Sequence, residues 1–376
     1  MTGPRVAVAG VHGHGASHVR NVARLAAAGR AELVAVADPR PAADLTAPAF
    51  AGLAELLAAT EVDVVIISTP IQTHVPLAEL AMRAGADVLL EKPPTASLAE
   101  FDQLSAIVAE TGRACQVGFQ AQASQGTLTL AKLVADGRLG ELRGISAVGK
   151  WVRTARYFQR ARWAGRRTLD GVAVVDGAVT NPLAHATAAA LLLDGSTGMG
   201  DVRSVETELF RANPIESDDT STVRIVTARG TTILIAVTLC ATEHLEPAVI
   251  VDGSEGRAVL RYASDTLETD SGTTTYERED LLENLLAHRA DPAVPLYCPL
   301  AATGGFTRVV EAVRTAKDPA GIPDELIRWE GEGLERHPVV LNVERWIDRA
   351  SDELALFSEI GAPWMSQRIQ STRENS

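Results

Sequence analysis

Cysteine, long apolar runs and positive charge are all scarce in this chain. Three cysteines, Cys115, Cys240 and Cys298, stand far apart among 376 residues. That number and spacing exclude a disulfide framework and a Cys-rich zinc site. The longest apolar stretches, such as Thr231–Ala241, fall short of the ~20 residues a membrane helix needs. Thirty-five basic residues face forty-eight acidic ones, for a net charge of −13. Phosphate-rich partners need a basic face, so neither nucleic acid nor an anionic membrane is expected as a partner. The N-terminus lacks a basic segment followed by an apolar one, as a secretory leader would have. A soluble, cytoplasmic setting is expected. At 46% apolar and 22% charged the composition is that of a globular protein, and at roughly 150 residues per domain the length predicts about two.

The first ~120 residues alternate short apolar runs with Ala-rich stretches of helical period. Arg5–Ala9, Leu33–Ala37, Val64–Ile67 and Val88–Leu90 read as strands. Ala16–Ala28 reads as a helix with Val19, Val22, Ala23 and Ala26 on its inner face. Pro76–Ala84 reads as another, with Leu77, Leu80, Ala81 and Ala84 inward. Continuous apolar strands alternating with helices predict a parallel sheet covered on both faces, a doubly wound α/β domain over residues 1–120. Residues 121–376 change texture. Leu142–Val152, Val202–Ala212, Thr220–Ala228, Thr231–Ala241 and Ala248–Tyr262 are rich in β-branched residues and punctuated by tight turns. Short connections predict antiparallel pairing. Helices are expected over Asp280–Arg289, Ala301–Thr315 and Val343–Phe357, giving an α+β second domain with a mostly antiparallel open sheet. Gln367–Ser376 reads as a frayed end.

Gly10-Val11-His12-Gly13-His14-Gly15 joins the first strand to the first helix. Glycines there let the backbone turn tightly and approach a pyrophosphate at the helix N-terminus. Gly10 and Gly15 hold the outer places of a G-x-G-x-x-G pattern, while His12 stands in the middle one. Asp38 ends the second strand, where a carboxylate accepts from a ribose diol and repels a 2′-phosphate. This predicts NAD, with Arg40 leaving NADP open. His12, His14 and His18 have no carboxylate cluster beside them in the chain, so no metal is expected and contacts to backbone or cofactor are. Ser68, Thr69, Pro70 and His74 follow the third clear strand, and Glu91-Lys92-Pro93-Pro94 follows the next. These are C-terminal strand ends, where open α/β sheets bind ligands.

Read together, Ala9–Gly15, Ile67–His74 and Glu91–Pro93 resemble the Gfo/Idh/MocA family of NAD(P)-dependent sugar and cyclitol dehydrogenases. The resemblance runs on through Val117-Gly118-Phe119, Asp136–Glu141 and the antiparallel C-terminal domain. It implies that Gly10, His12, Gly13, His14, Gly15, Asp38, Arg40, Ser68, Thr69, Pro70, His74, Glu91 and Pro93 hold the cofactor. It also implies that Lys92 lies beside the reacting carbon, with the Lys92–Pro93 peptide often cis. The family's second signature, an Asp and a His four residues apart at a helix start, falls on Asn181 and His185. The local sequence fits a helix start, with Asn181 as N-cap and Pro182 in the first turn. A histidine near the positive helix end stays neutral and available as a base. With Asn in place of Asp, either Lys92 and His185 carry the proton chemistry alone or Asp176 supplies the charge.

Trp151–Arg167 holds six arginines and no acid, interleaved with aromatics. Aromatic faces stack on sugars and guanidinium forks bind carboxylate or phosphate. Tyr157, Arg160, Trp163 and Asp176 are therefore candidate substrate contacts for a polyol or sugar. The competing readings are pairing with another subunit and plain solvation. The expected function is an oxidoreductase moving hydride between nicotinamide and a carbinol or carbonyl carbon of a sugar or cyclitol. The changed Asp/His pair keeps open an oxidation–elimination enzyme that cleaves glycosides with NAD, and a silent sensor. By analogy with the family, a sheet with one free face predicts a homodimer or homotetramer.

Overall fold

The structure is a computed structural model that describes residues 3–40 and 47–365, so the expected fraying at Gln367–Ser376 lies outside the described residues. Two compact units divide the chain. One holds the residues up to Ala123 together with Glu279–Thr303, and the other holds Ser124–Arg278 and the residues from Gly304 on.

The first unit is built on six parallel strands: β1 Arg5–Ala9, β2 Glu32–Ala37, β3 Ala49–Phe50, β4 Val64–Ile67, β5 Asp87–Leu90 and β6 Cys115–Val117. Their order, β3-β2-β1-β4-β5-β6, reverses direction of growth between β1 and β4. β1, β4 and β5 read as unbroken apolar runs because helices cover both faces. The helices are α1 Gly15–Ala27, α2 Leu53–Ala59, α3 His74–Arg83 and α4 Leu98–Thr111. Two predicted helix faces are rotated. α1 buries Gly15, His18, Val22 and Leu25, leaving Ala23 and Ala26 outside. α3 buries Val75, Ala78, Ala81 and Met82, and Leu80 is 42% exposed. Both rotations have a polar cause. His18 of α1 turns inward to a carboxylate, and α3 begins two residues early at His74, whose buried ring is hydrogen-bonded to backbone carbonyls.

The boundary near residue 120 needs a correction. Helix α8, Leu281–Ala290, was expected in the second domain but packs in the first unit. Leu281, Leu282, Leu285 and Leu286 join Val6, Val8, Leu25, Ile66 and Leu89 in one core. Each such burial is worth about 1.5–3 kcal/mol. Arg289 then bonds Asp87 at 2.6 Å and Asp63 at 3.0 Å. An apolar stripe in the sequence marks the helix but does not say which core it enters.

The second unit carries a nine-stranded sheet in the order β16-β15-β14-β13-β7-β12-β11-β10-β17. Its strands are β7 Leu142–Lys150, β10 Val202–Arg211, β11 Thr220–Thr227, β12 Thr232–Thr238, β13 Ala248–Gly253, β14 Arg257–Arg261, β15 Thr266–Thr269, β16 Gly272–Thr275 and β17 Ala320–Gly321. Small two-stranded ribbons pair β8 Thr168–Leu169 with β9 Val172–Ala173, and β18 Ile327–Glu330 with β19 His337–Val340. Pairing in the large sheet is antiparallel except β7 with β12 and β10 with β17. Helices α5 Gln125–Ala135, α6 Ala155–Phe158, α7 Ala184–Asp194, α9 Gly304–Thr315 and α10 Val343–Glu353 complete the unit. α7 lies on β7, β12 and β13, and α9 on β10.

The expected free face of this sheet is covered. Val343, Ile347 and Ala350, spaced i, i+4, i+7 on α10, pack on Phe210, Leu234, Ala236 and Ile250. Phe357, Ile360 and Trp364 extend that core, with the Phe357 and Trp364 rings edge to face at 5.0 Å. At the margin, β16 is exposed along its length. No helix among the described residues is long and apolar enough to cross a membrane.

Candidate active site

The first polar cluster lies at the C-terminal ends of β1, β2, β4 and β5. Gly10 leaves β1 with φ of +83°, and a side chain there would collide with the Ser68 carbonyl. A side chain at Gly15 would collide with the Gly10 carbonyl. The outer glycines are thus required by the turn itself. Gly13 has φ of +60° and meets nothing. No side chain caps the N-terminus of α1, and its first turn carries no acid. A glycine cradle opening on an uncapped helix end fits a dinucleotide pyrophosphate.

Asp38 accepts from the Val11 N–H at 3.1 Å and from the Arg40 backbone N–H at 2.9 Å. Burial would raise its pKa, but these bonds and the Arg40 guanidinium at 3.3 Å hold it below the usual carboxylate range. It therefore stays an anion at the end of β2, as an acceptor for a ribose diol must. His12 sits 3.9 Å from the same carboxylate. After β4, the Thr69 and Thr73 hydroxyls meet at 2.6 Å, and Thr73 donates to the Pro70 carbonyl at 2.7 Å. His74 was expected to touch cofactor. Its ring is instead buried, with Nε2 2.9 Å from the Thr69 carbonyl and Nδ1 3.2 Å from the Pro94 carbonyl. Burial lowers its pKa against the opposing pull of the two carbonyls, and the ring fills the space between the two strand-end turns.

Glu91 is buried after β5. His18 lies 2.8 Å and His14 3.2 Å from its Oε1, Gln120 donates to the same oxygen at 3.3 Å, and the Lys92 backbone N–H donates to Oε2 at 3.2 Å. Burial alone would raise the Glu91 pKa. The two imidazoles overcome it and hold the carboxyl well below its usual range, while the Glu91 hydrogen bond raises His14. The chain sets no carboxylate cluster beside these histidines, but the fold brings the single carboxylate of Glu91 to His14 and His18. One ligand atom from each of His14, His18 and Glu91 lies within 4.8 Å of the others. Neither Gln120 nor the His18–Glu91 contact is visible in the sequence, since 73 residues separate the latter pair. Lys92 is half-buried, and the Lys92–Pro93 peptide is cis.

The second cluster surrounds Asp176 in the second unit. Its side chain is 2% exposed. It accepts from the Gly165 N–H at 2.7 Å, from Arg160 at 3.3 Å and from the Asn181 amide. Val175, just before it, has φ of +44°, a left-handed conformation that costs a β-branched residue about 1–3 kcal/mol. Asp218, which sequence reasoning passed over, pins this loop: it is fully buried and accepts from the Ala178 N–H at 3.1 Å and from Ser221 at 2.8 Å. A side chain at Gly177 would collide with it. The only signal was an acidic pair, Asp218-Asp219, opening a β-branched run.

Asn181 is not an N-cap. α7 begins at Ala184 behind Leu183, with no side-chain cap, because the Asn181 amide is committed to Asp176. His185 is accordingly the second residue of the helix, half-buried, with its ring 6.3 Å from that of Tyr262. Tyr157, Arg160 and Trp163 do meet. The Arg160 guanidinium lies 3.6 Å from the Tyr157 ring centre and 4.5 Å from that of Trp163. Burial, with Asp176 nearby, pushes the Tyr157 phenol up to about 12. The basic segment is not a bare positive patch. Arg156, Arg160, Arg162, Arg166 and Arg167 pair with Glu335, Asp176, Asp170, Glu216 and Asp318 of the same unit.

A doubly wound sheet with a pyrophosphate cradle after β1 and an anionic carboxylate after β2 defines a dinucleotide-binding protein. The chain belongs to the Gfo/Idh/MocA family: residues 4–119 match its model described as oxidoreductase family, NAD-binding Rossmann fold, and residues 127–259 match its C-terminal domain. It is 38% identical to the uncharacterized oxidoreductase YdgJ of Escherichia coli, over 22% of this chain and 23% of that one. It is 28% identical to inositol 2-dehydrogenase of Rhizobium meliloti, over 69% of this chain and 78% of that one. Among solved structures, the WlbA dehydrogenase of Bordetella pertussis in complex with NADH and UDP-GlcNAcA shares the fold at a TM-score of 0.69 and 21% identity, covering 83% of this chain and 95% of that one.

Proposed function

We propose that the protein oxidises a carbinol carbon, or reduces the matching carbonyl, of a sugar or cyclitol derivative with NAD. The observation that carries this is the gathering of the Gly10–Gly15 turn, Asp38, Ser68–Pro70 and Glu91–Pro93 at the C-terminal edge of one parallel sheet, around the point where strand order reverses. Bound nicotinamide supplies the hydride acceptor or donor. Gly10, Gly13, Gly15 and the start of α1 would hold the pyrophosphate, with His12, His14, Ser68, Thr69, Pro70 and Pro93 around it. Asp38 would hold the ribose and disfavour NADP.

Lys92 and His185 are the proposed catalytic residues. As hydride leaves the carbinol carbon, negative charge grows on its oxygen unless the hydroxyl proton moves. An ammonium at Lys92 stabilises that oxygen, and a neutral imidazole at the start of α7 takes the proton. Asn181 acts with Asp176, which restores the carboxylate the amide lacks. This pairing weighs against a silent sensor. Tyr157, Arg160 and Trp163 are the proposed sugar contacts. The expected setting is cytoplasmic, in keeping with three buried free thiols, and the expected assembly is a homodimer or homotetramer through the sheet, whose edge strand β16 is exposed.

The test is reduced-nicotinamide absorbance across a panel of polyols and sugars. Lys92→Met and His185→Ala should each lower kcat by about 10²-fold or more while still binding NAD in calorimetry. Wild-type turnover in both variants, or no NAD binding by the wild type, overturns the proposal.

A further inference from the structure

A cavity of about 780 Å³ opens in the second unit, lined among others by Phe158, Arg166, Arg211, Ile215, Trp329 and Arg336. Its size falls within the ~300–1,000 Å³ of pockets that take drug-sized ligands. Three guanidiniums line it, and only one is neutralised: Arg166 pairs with Glu216 at 3.1 Å. Arg211 donates to the Ile215 carbonyl. Neither Arg211 nor Arg336 has an ion-pair partner among the described residues. Trp329 is 41% exposed, and the Arg336 guanidinium stands 4.5 Å from its ring centre. An exposed indole beside two arginines without acid partners suits a ligand that is planar at one end and anionic at the other. Indole and guanidinium planes stack on nucleobases, and guanidinium forks take phosphate oxygens bidentately.

The cavity shares a wall with the Asp176 cluster. Short helix α6 offers Phe158 to the cavity, while Tyr157, its ring 5.2 Å away, stacks on Arg160, the partner of Asp176. The two therefore adjoin, since Gly165 lines the cavity while its N–H bonds Asp176. We propose that this cavity binds the nucleoside diphosphate of an activated sugar, so that the substrate is a nucleotide sugar and not a free polyol. The sugar end of this inference rests on the function proposed above; the nucleotide end does not.

The experiment is calorimetric titration of the full chain with uridine 5′-diphosphate, repeated in saturating NAD so that the glycine turn is blocked. Saturable binding that survives NAD and quenches tryptophan fluorescence is expected. Arg336→Ala and Arg211→Ala should each weaken it about tenfold, and Trp329→Leu should abolish most of the quench, all three with unchanged thermal melting. Uridine and inorganic pyrophosphate, titrated separately, should each bind more weakly than the diphosphate. No saturation at millimolar diphosphate, displacement by NAD, pyrophosphate binding as tightly as the nucleotide, or unchanged binding in both arginine variants each overturns the proposal. The two readings fail separately. A protein that binds the diphosphate but never reduces NAD keeps the cavity and loses the oxidoreductase, and one that oxidises free polyols without binding the diphosphate does the reverse.

Discussion

Glu91 and Asp176 are both buried carboxylates at the heart of a polar cluster, one in each unit, and they are held by opposite kinds of partner. Glu91 meets two imidazoles, and its hydrogen bond raises the His14 pKa. Asp176 meets a guanidinium, an amide and a backbone N–H, none of which titrates near neutral pH. The first cluster is therefore built to respond to pH, and the second to hold one geometry. The same residue chemistry serves two purposes because of what the fold sets against it.

The largest effect is expected where the partner cannot adapt. Asp176→Ala strands Arg160 and the Gly165 N–H and should cost about 2–4 kcal/mol in urea denaturation. A cost below half that would show the cluster to be loosely held. Asn181→Asp introduces a second carboxylate against Asp176 and should cost about 1–3 kcal/mol at neutral pH, shrinking once acid protonates one of the pair. Equal stability of the two proteins at neutral pH would contradict the Asn181–Asp176 bond.

Glu91→Gln should cost about 1–3 kcal/mol, and here the pH dependence is the sharper test. The Glu91 pKa is depressed from 4.5, so its contribution is fully present above that value and fades as pH falls toward the folded pKa. The His14 pKa is raised from 6.5, so its contribution is fully present below that value and fades as pH rises through the folded pKa. The melting-temperature gap between wild type and Glu91→Gln should peak between pH 4.5 and 6.5. A gap that stays level with pH would contradict the pairing of Glu91 with His14. Smallest is Arg289→Ala, expected to cost about 1 kcal/mol because its pairs are partly exposed. Hydrogen bonds and charge from Arg5, with Arg289, hold Asp63 down to about 2, so this cost should persist to pH 3.8 and fade as pH falls toward 2.

Much of the frame was legible because it is written in local pattern. The runs at Arg5–Ala9 and Val64–Ile67 are strands with those bounds, since a short apolar run bounded by turn signals and buried on both faces has few other solutions. The glycine turn and Glu91–Pro93 could be placed at strand ends for the same reason. Helix rotation was not legible in α1 or α3, because His18 and His74 read as polar yet turn inward to distant partners. Asn181 looked like an N-cap because its neighbours look like a helix start, and its amide instead answers a carboxylate five residues back.

The sequence alone determined the alternation of strands and helices, the cofactor turn, the family and the acidic surface, because periodicity, backbone sterics and net charge act over a few residues or over the whole chain. Tertiary structure alone decided that α8 returns to the first core, that α10 closes the face of the large sheet, and that five arginines of one segment find five acids elsewhere in their unit. It also chose the partners of Glu91 and Asp176, and with them which carboxylate feels pH. Those outcomes depend on which remote groups share a low-dielectric contact, and spacing along the chain carries no record of that.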